Sequence, residues 1–133
     1  VCLRYFNVFG ERQRDEGSYA LVSGIFLRQN KNGKPLTVTG DGNQKRDFVN
    51  AKDVAEANIL ASQSKLVGKG ESINIGYGKA ITINEVAKSI SNNITYVEKR
   101  HEPEITLSNI ELAKKLLNWE PKIKFTEWIK TQK

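Results

Sequence analysis

The chain has 133 residues, enough for one domain with a real core, and its 38% hydrophobic and 27% charged residues are ordinary for a soluble globular protein. No run is long and apolar enough to cross a bilayer, and a single cysteine, Cys2, excludes an internal disulfide. The net charge of +6 invites a nucleic-acid reading, but the lysines are scattered among acidic and polar neighbours, as at Lys31, Lys52, Lys69 and Lys122, so no nucleic-acid partner and no membrane are expected.

In chain order, Val1-Cys2-Leu3-Arg4-Tyr5-Phe6 reads as a strand apolar on both faces, as in a covered parallel sheet. Asn7-Val8-Phe9-Gly10 leaves it at the carboxyl end, the edge at which open α/β sheets bind ligands. Asn7 is therefore a contact candidate, although its position alone favours a turn residue that bonds its own backbone. Ser18 is placed to cap a helix with Leu21, Val22, Ile25 and Phe26 on one face, and Leu36 to Thr39 forms a short strand.

The stretch from Gly40 to Val54 is the one around which the rest is organised. Two glycines allow a tight turn, Arg46 brings a planar fork suited to a diphosphate, and Asp53 opens an amphipathic helix with Val54, Ala57 and Ala61. The competing reading is a plain hairpin in which Arg46 and Asp47 form a solvated pair worth little. Further on, Ser72 to Ile75 alternates as a strand and Gly76-Tyr77-Gly78 turns. Thr82 with Glu85 forms a capping box ahead of Ile83, Val86, Ala87 and Ile90, and Ser108 with Glu111 forms a second ahead of Ala113, Leu116 and Leu117. Ile94 to Val97 is another strand, and Phe125, Trp128 and Ile129 mark a last short helix. Strands alternating with helices imply an α/β domain. His101 and Cys2, far apart in sequence, give no metal-ligand spacing and no nucleophile pair, so no metal site is expected.

Four stretches together resemble the carboxyl-terminal part of the NAD-dependent epimerase/dehydratase family, the extended short-chain dehydrogenases typified by UDP-glucose 4-epimerase. They are Leu3 to Gly10, Leu36 to Asp53 with Arg46-Asp47-Phe48 in register, Ser72 to Gly76, and Ser108 to Pro121. The resemblance implies an α/β fold, the substrate-binding portion of an extended Rossmann-type epimerase with the last strands of its parallel sheet. Residues 1–133 would be that portion and residues 1–7 the last part of a Rossmann-sheet strand. The amino-terminal NAD-binding domain would be absent, and the lack of any methionine suits a sequence that does not begin where translation began.

The same resemblance implies roles for individual residues. Asn7 would bond the diphosphate or the sugar, and Arg46 would hold the diphosphate. Arg100 and Lys99 compete for its other side, because the family's Arg-x-Gly-Asp pattern is not kept at His101-Glu102-Pro103-Glu104. Tyr5 and Phe6 would line the wall between nicotinamide and sugar, and the helix from Ser18 with Val38 and Thr39 would cradle the base. Asp47 would orient the loop and Asp53 cap the helix. The family's Gly-rich NAD fingerprint and its Tyr-x-x-x-Lys pair do not occur here, so no catalytic residue is assigned and the chain alone is expected to be inactive. The implied function is nucleotide-sugar binding within an NAD-dependent epimerase acting on a UDP-hexose or UDP-N-acetylhexosamine, cytoplasmic and homodimeric as the full-length enzyme. The alternatives are a nucleotide-sugar 4,6-dehydratase and a non-catalytic module binding nucleotide sugars or a protein.

Overall fold

The computed structural model describes residues 1–132. Its first half contains β1 (Cys2–Tyr5), β2 (Val8–Phe9), α1 (Val22–Lys31), β3 (Leu36–Thr39), β4 (Lys45–Asp47), β5 (Val49–Asn50) and α2 (Ala51–Gln63). Its second half contains β6 (Ser72–Ile75), β7 (Ala80–Thr82), α3 (Ile83–Ile90), β8 (Ile94–Val97), β9 (Ile105–Thr106), α4 (Glu111–Leu117) and α5 (Phe125–Trp128), which runs on as a 3-10 turn over Ile129–Gln132.

Four strand pairs are parallel: β1 with β6, β2 with β5, β3 with β8, and β4 with β9. Parallel neighbours need a long crossover, and the helices between them supply it. Strand β4 lies between β7, antiparallel to it, and β9, parallel to it. The α/β class expected from the alternating pattern is the one observed.

Two cores flank the centre of the chain. One gathers Phe26 of α1, Leu36 and Val38 of β3, and Val86, Ala87 and Ile90 of α3. The other gathers Val54, Ala57 and Ala61 of α2, Ile73 and Ile75 of β6, and Ala113 and Leu117 of α4. Phe48 belongs to the first and Val49 to the second, because successive residues of an extended chain point to opposite sides. Phe48 is clamped by a stacked Phe125 ring at 4.4 Å, and Phe125 in turn meets Phe9 edge-on at 5.1 Å. Burying a ring of this size contributes about 2 to 3 kcal/mol, so the strand carrying Arg46 and Asp47 is firmly anchored at its end.

Several caps differ from expectation. The Thr82–Glu85 box forms with both reciprocal bonds. Ser18 does not cap α1, whose N-cap is Leu21 and which has no side-chain cap bond. Helix α2 starts earlier than expected: Asn50 is its N-cap and its side chain accepts from the Lys52 N–H. Asp53 lies within the first turn instead, and its Oδ2 accepts the N–H groups of Lys122 and Ile123 at 3.1 and 3.0 Å. A carboxylate one turn inside a helix thus pins a segment 69 and 70 residues away. Ser108 is likewise recruited elsewhere, and Asn109 Oδ1 accepts the Glu111 N–H at 2.9 Å in its place. The stretch from Gly40 is no hairpin, since β3 pairs with β8 while β4 pairs with β7 and β9. Gly42 has φ +75, and a Cβ there would meet Asn84 Oδ1 at 2.2 Å, so the turn needs glycine for both backbone and space.

Candidate functional site

Arg46 and Asp47 are neighbours on β4, and strand geometry sends their side chains to opposite faces. Asp47 is fully buried. Its Oδ1 accepts the Tyr77 N–H at 2.7 Å, while Oδ2 accepts from Gly78 N at 3.0 Å, Ser108 N at 3.0 Å and Ser108 Oγ at 2.5 Å. One carboxylate therefore ties β4 to the turn after β6 and to the chain entering α4. The close approach depends on Gly76, where a Cβ would fall 2.2 Å from Ser108 Oγ. The two residues do not form a solvated pair with each other.

On the other face the Arg46 side chain is 12% exposed. Its Nη1 donates to the carbonyls of Lys45 and Pro103 at 2.8 and 2.7 Å, and its Nη2 to Glu102 Oε2 at 2.5 Å. Glu102 Oε1 accepts from Thr39 Oγ1 at 3.1 Å and Gln44 Nε2 at 3.3 Å. These groups line a cleft of about 380 Å³, together with Asn7 and Arg100, over an apolar floor that includes Leu21, Ile25, Phe26 and Phe48. Asn7 adopts φ 35, and its Nδ2 donates to the Asp47 carbonyl at 2.6 Å. The left-handed turn at the end of β1 thus bonds backbone 40 residues away, rather than its own.

Four of the eight candidate residues, Asn7, Thr39, Arg46 and Arg100, converge on this cleft. The other four lie elsewhere. Lys99 lines a smaller hollow beside Gly40 and Asp41, and its Nζ bonds Glu104 Oε1 at 2.9 Å. That hydrogen bond, with the Glu104 charge, raises the lysine pKa. Of the two competitors, Arg100 lines the same cleft as Arg46 and Lys99 does not. Val38 is fully buried in the first core and presents no side chain to the cleft. Tyr5 is half-exposed and its hydroxyl donates to Asn58 Oδ1 at 2.9 Å. Neither Tyr5 nor Phe6 lines the cleft.

Gln44, Phe48 and Glu102 are cleft residues to which the sequence reading gave no site role. Gln44 and Phe48 each lie two residues from Arg46, the spacing that shares a face in extended chain, so a signal for both was present. Glu102 had none, since 56 residues separate it from Arg46. A wider hollow of about 510 Å³ lies over Val8 to Gln13 and the start of α2 and contains none of the eight candidates.

With two guanidinium groups, amide and hydroxyl donors and an apolar floor, the cleft suits a ligand that joins an anionic group to a flat or apolar one. Among the described residues none forms the Gly-rich strand-to-helix turn of a dinucleotide site. Helices α1, α2 and α3 start behind Leu21, Asn50 and Thr82, and none starts from a Gly-rich turn after a strand. Among the described residues no helix is long and apolar enough to cross a membrane.

Residues 1–76 match the family model described as the NAD dependent epimerase/dehydratase family. A putative UDP-glucose 4-epimerase of Methanocaldococcus jannaschii is 39% identical over 96% of this chain and 42% of its own length. Among solved structures, the UDP-N-acetylglucosamine 4-epimerase of Methanobrevibacter ruminantium M1 in complex with UDP-N-acetylmuramic acid superposes with a TM-score of 0.87 at 35% identity, covering 98% of this chain and 43% of that one. The UDP-glucose 4-epimerase of Thermotoga maritima with UDP-glucose superposes with a TM-score of 0.85 at 33% identity, with the same coverage. The chain spans about two fifths of the length of the curated relatives it matches.

Proposed function

The chain belongs to the NAD dependent epimerase/dehydratase family, and from that membership we propose that it is the nucleotide-sugar-binding portion of an NAD-dependent epimerase acting at C4 of a UDP-hexose or UDP-N-acetylhexosamine. The observation that carries this reading is the convergence of Asn7, of Thr39 and Arg46, and of Arg100 on one cleft from three separate parts of the sequence. Arg46 and Arg100 hold the diphosphate through charge-assisted bonds, and the Asn7 amide holds its sugar end. The base rests on the α1 side chains that floor the cleft, beside the Thr39 hydroxyl. NAD, which accepts and returns the hydride when bound, is held mainly by a part of the whole enzyme that this chain does not contain. The enzyme is cytoplasmic and homodimeric.

The physical logic is that of remote anchoring. A 4-epimerase must present both faces of its oxidised sugar without losing it, so binding energy is best placed on the diphosphate while the sugar stays mobile. A cleft with two guanidinium groups among its lining residues supplies such an anchor. The test is to produce the protein from its whole reading frame, load it with NAD, and incubate it with UDP-glucose and UDP-N-acetylglucosamine. Interconversion of at least one with its C4 epimer is expected, and a protein that binds NAD but turns over neither substrate sinks the reading.

A further inference from the structure

We propose that Glu102 is a displaceable counter-anion, its carboxylate occupying the edge of Arg46 that a diphosphate takes, so that nucleotide binding exchanges one anion for another on the same guanidinium. This rests on the reading of the cleft as a diphosphate site.

Two kinds of partner hold Arg46. The carbonyls of Lys45 and Pro103 take both Nη1 protons and are backbone groups, so they fix where the guanidinium sits. The third partner, Glu102, is a flexible side chain, 32% exposed, on the irregular segment between β8 and β9. Every contact the carboxylate makes is with another side chain: Arg46, Thr39 and Gln44. Gln44 Nε2 keeps bonds to the carbonyl and hydroxyl of Thr39 without it. Rotation of Glu102 out of the cleft therefore breaks side-chain bonds only, whereas displacement of Arg46 would also break its two bonds to backbone carbonyls.

Electrostatics favours the same exchange. A carboxylate at 2.5 Å from Nη2 neutralises the cation and repels a second anion brought to it. Arg100 lies two residues from Glu102 on the same segment, lines the same cleft and makes no ion pair among the described residues. Rotation of the Glu102 side chain outward would leave Arg46 and Arg100 as the charged groups of the cleft facing a diphosphate.

The test measures UDP binding by calorimetry on the protein produced for the epimerase assay. Glu102→Gln retains an Oε1 acceptor for Thr39 and Gln44 but turns an amide toward Arg46, so it should tighten UDP by about tenfold. Glu98→Gln removes the same charge from the same exposed segment without touching Arg46, and should change UDP affinity by about twofold or less. Unchanged or weaker binding in Glu102→Gln, or an equal gain in both variants, overturns the proposal. If Glu102→Gln does not fold, a structure of the unaltered protein with UDP decides. Arg46 and Glu102 beyond ion-pair reach supports displacement, and an intact pair overturns it. If neither the unaltered protein nor Glu102→Gln binds UDP, the diphosphate reading of the cleft falls as well. If the unaltered protein binds and the variant binds no tighter, only the counter-anion role falls.

Discussion

Asp47 and Glu102 are two carboxylates set on opposite faces of β4, and they hold their partners in opposite ways. Asp47 is fully buried and takes three backbone N–H groups and one hydroxyl, all on segments packed into the second core. Glu102 is a third exposed and takes only side chains. The first arrangement makes a carboxylate part of the frame, because each partner lost would leave a buried donor without water. The second makes it a contact that a competing anion can replace. What separates the two is what each carboxylate touches and how far water reaches it, and charge alone says nothing about which role a residue takes.

The sharpest way to break this contrast is Asp47→Ala, which leaves three buried N–H groups and the Ser108 hydroxyl without their acceptor. A loss of about 4 kcal/mol in folding stability is expected by chemical denaturation. A loss under about 1 kcal/mol would show that water reaches those donors and that Asp47 is no frame element.

Asp53 provides an intermediate case, buried like Asp47 but with two backbone partners, Lys122 N and Ile123 N. Asp53→Ala should cost about 2 kcal/mol and expose the final segment to protease before the rest of the chain. Equal proteolysis throughout would mean that the tail is held by Trp119, whose Nε1 donates to the Asp53 carbonyl, and by Phe125 rather than by the carboxylate.

The smallest effect belongs to Glu85, an exposed carboxylate that completes the cap of α3. The Thr82 backbone N–H, then its hydroxyl, lower the Glu85 pKa below the usual glutamate value. A depressed folded-state pKa means that the stabilisation is fully present above the unfolded value and disappears as pH falls through the lowered one. Screened by solvent, it amounts to about 0.5 kcal/mol. Glu85→Gln should therefore melt slightly lower than the unaltered protein at neutral pH, with the gap closing in acid. A gap that persists at low pH would assign the effect to packing.

Regular elements long enough to show a period were legible in the sequence. Helix α3 carries Ile83, Val86, Ala87 and Ile90 on one buried face behind a complete capping box, as the spacing required. Strands β3, β6 and β8 occupy Leu36–Thr39, Ser72–Ile75 and Ile94–Val97, the spans their apolar pattern marked. The short strands β2, β4, β5, β7 and β9 were not seen, because two or three residues contain no measurable period and each exists only through its neighbour. The caps at Ser18, Asp53 and Ser108 were misplaced for a related reason. Each has the right side chain near a helix start, but Asn50 caps α2, Ile110 is the N-cap of α4 with Asn109 accepting the Glu111 N–H from just outside it, and Asp53 and Ser108 have distant partners that local spacing does not reveal.

What the sequence determined by itself was local chemistry. Arg46 is a fixed cation, Gly42 and Gly76 allow backbone to approach where no side chain fits, and the apolar stripes of α2 and α3 must be covered. Tertiary structure alone decided which groups meet. It separated Lys99 from Arg100, placed Val38 inside a core, and set Glu102 against Arg46 across 56 residues. Propensity and periodicity act over a turn or a strand, whereas these pairings arise when packing two cores brings remote segments within hydrogen-bond distance.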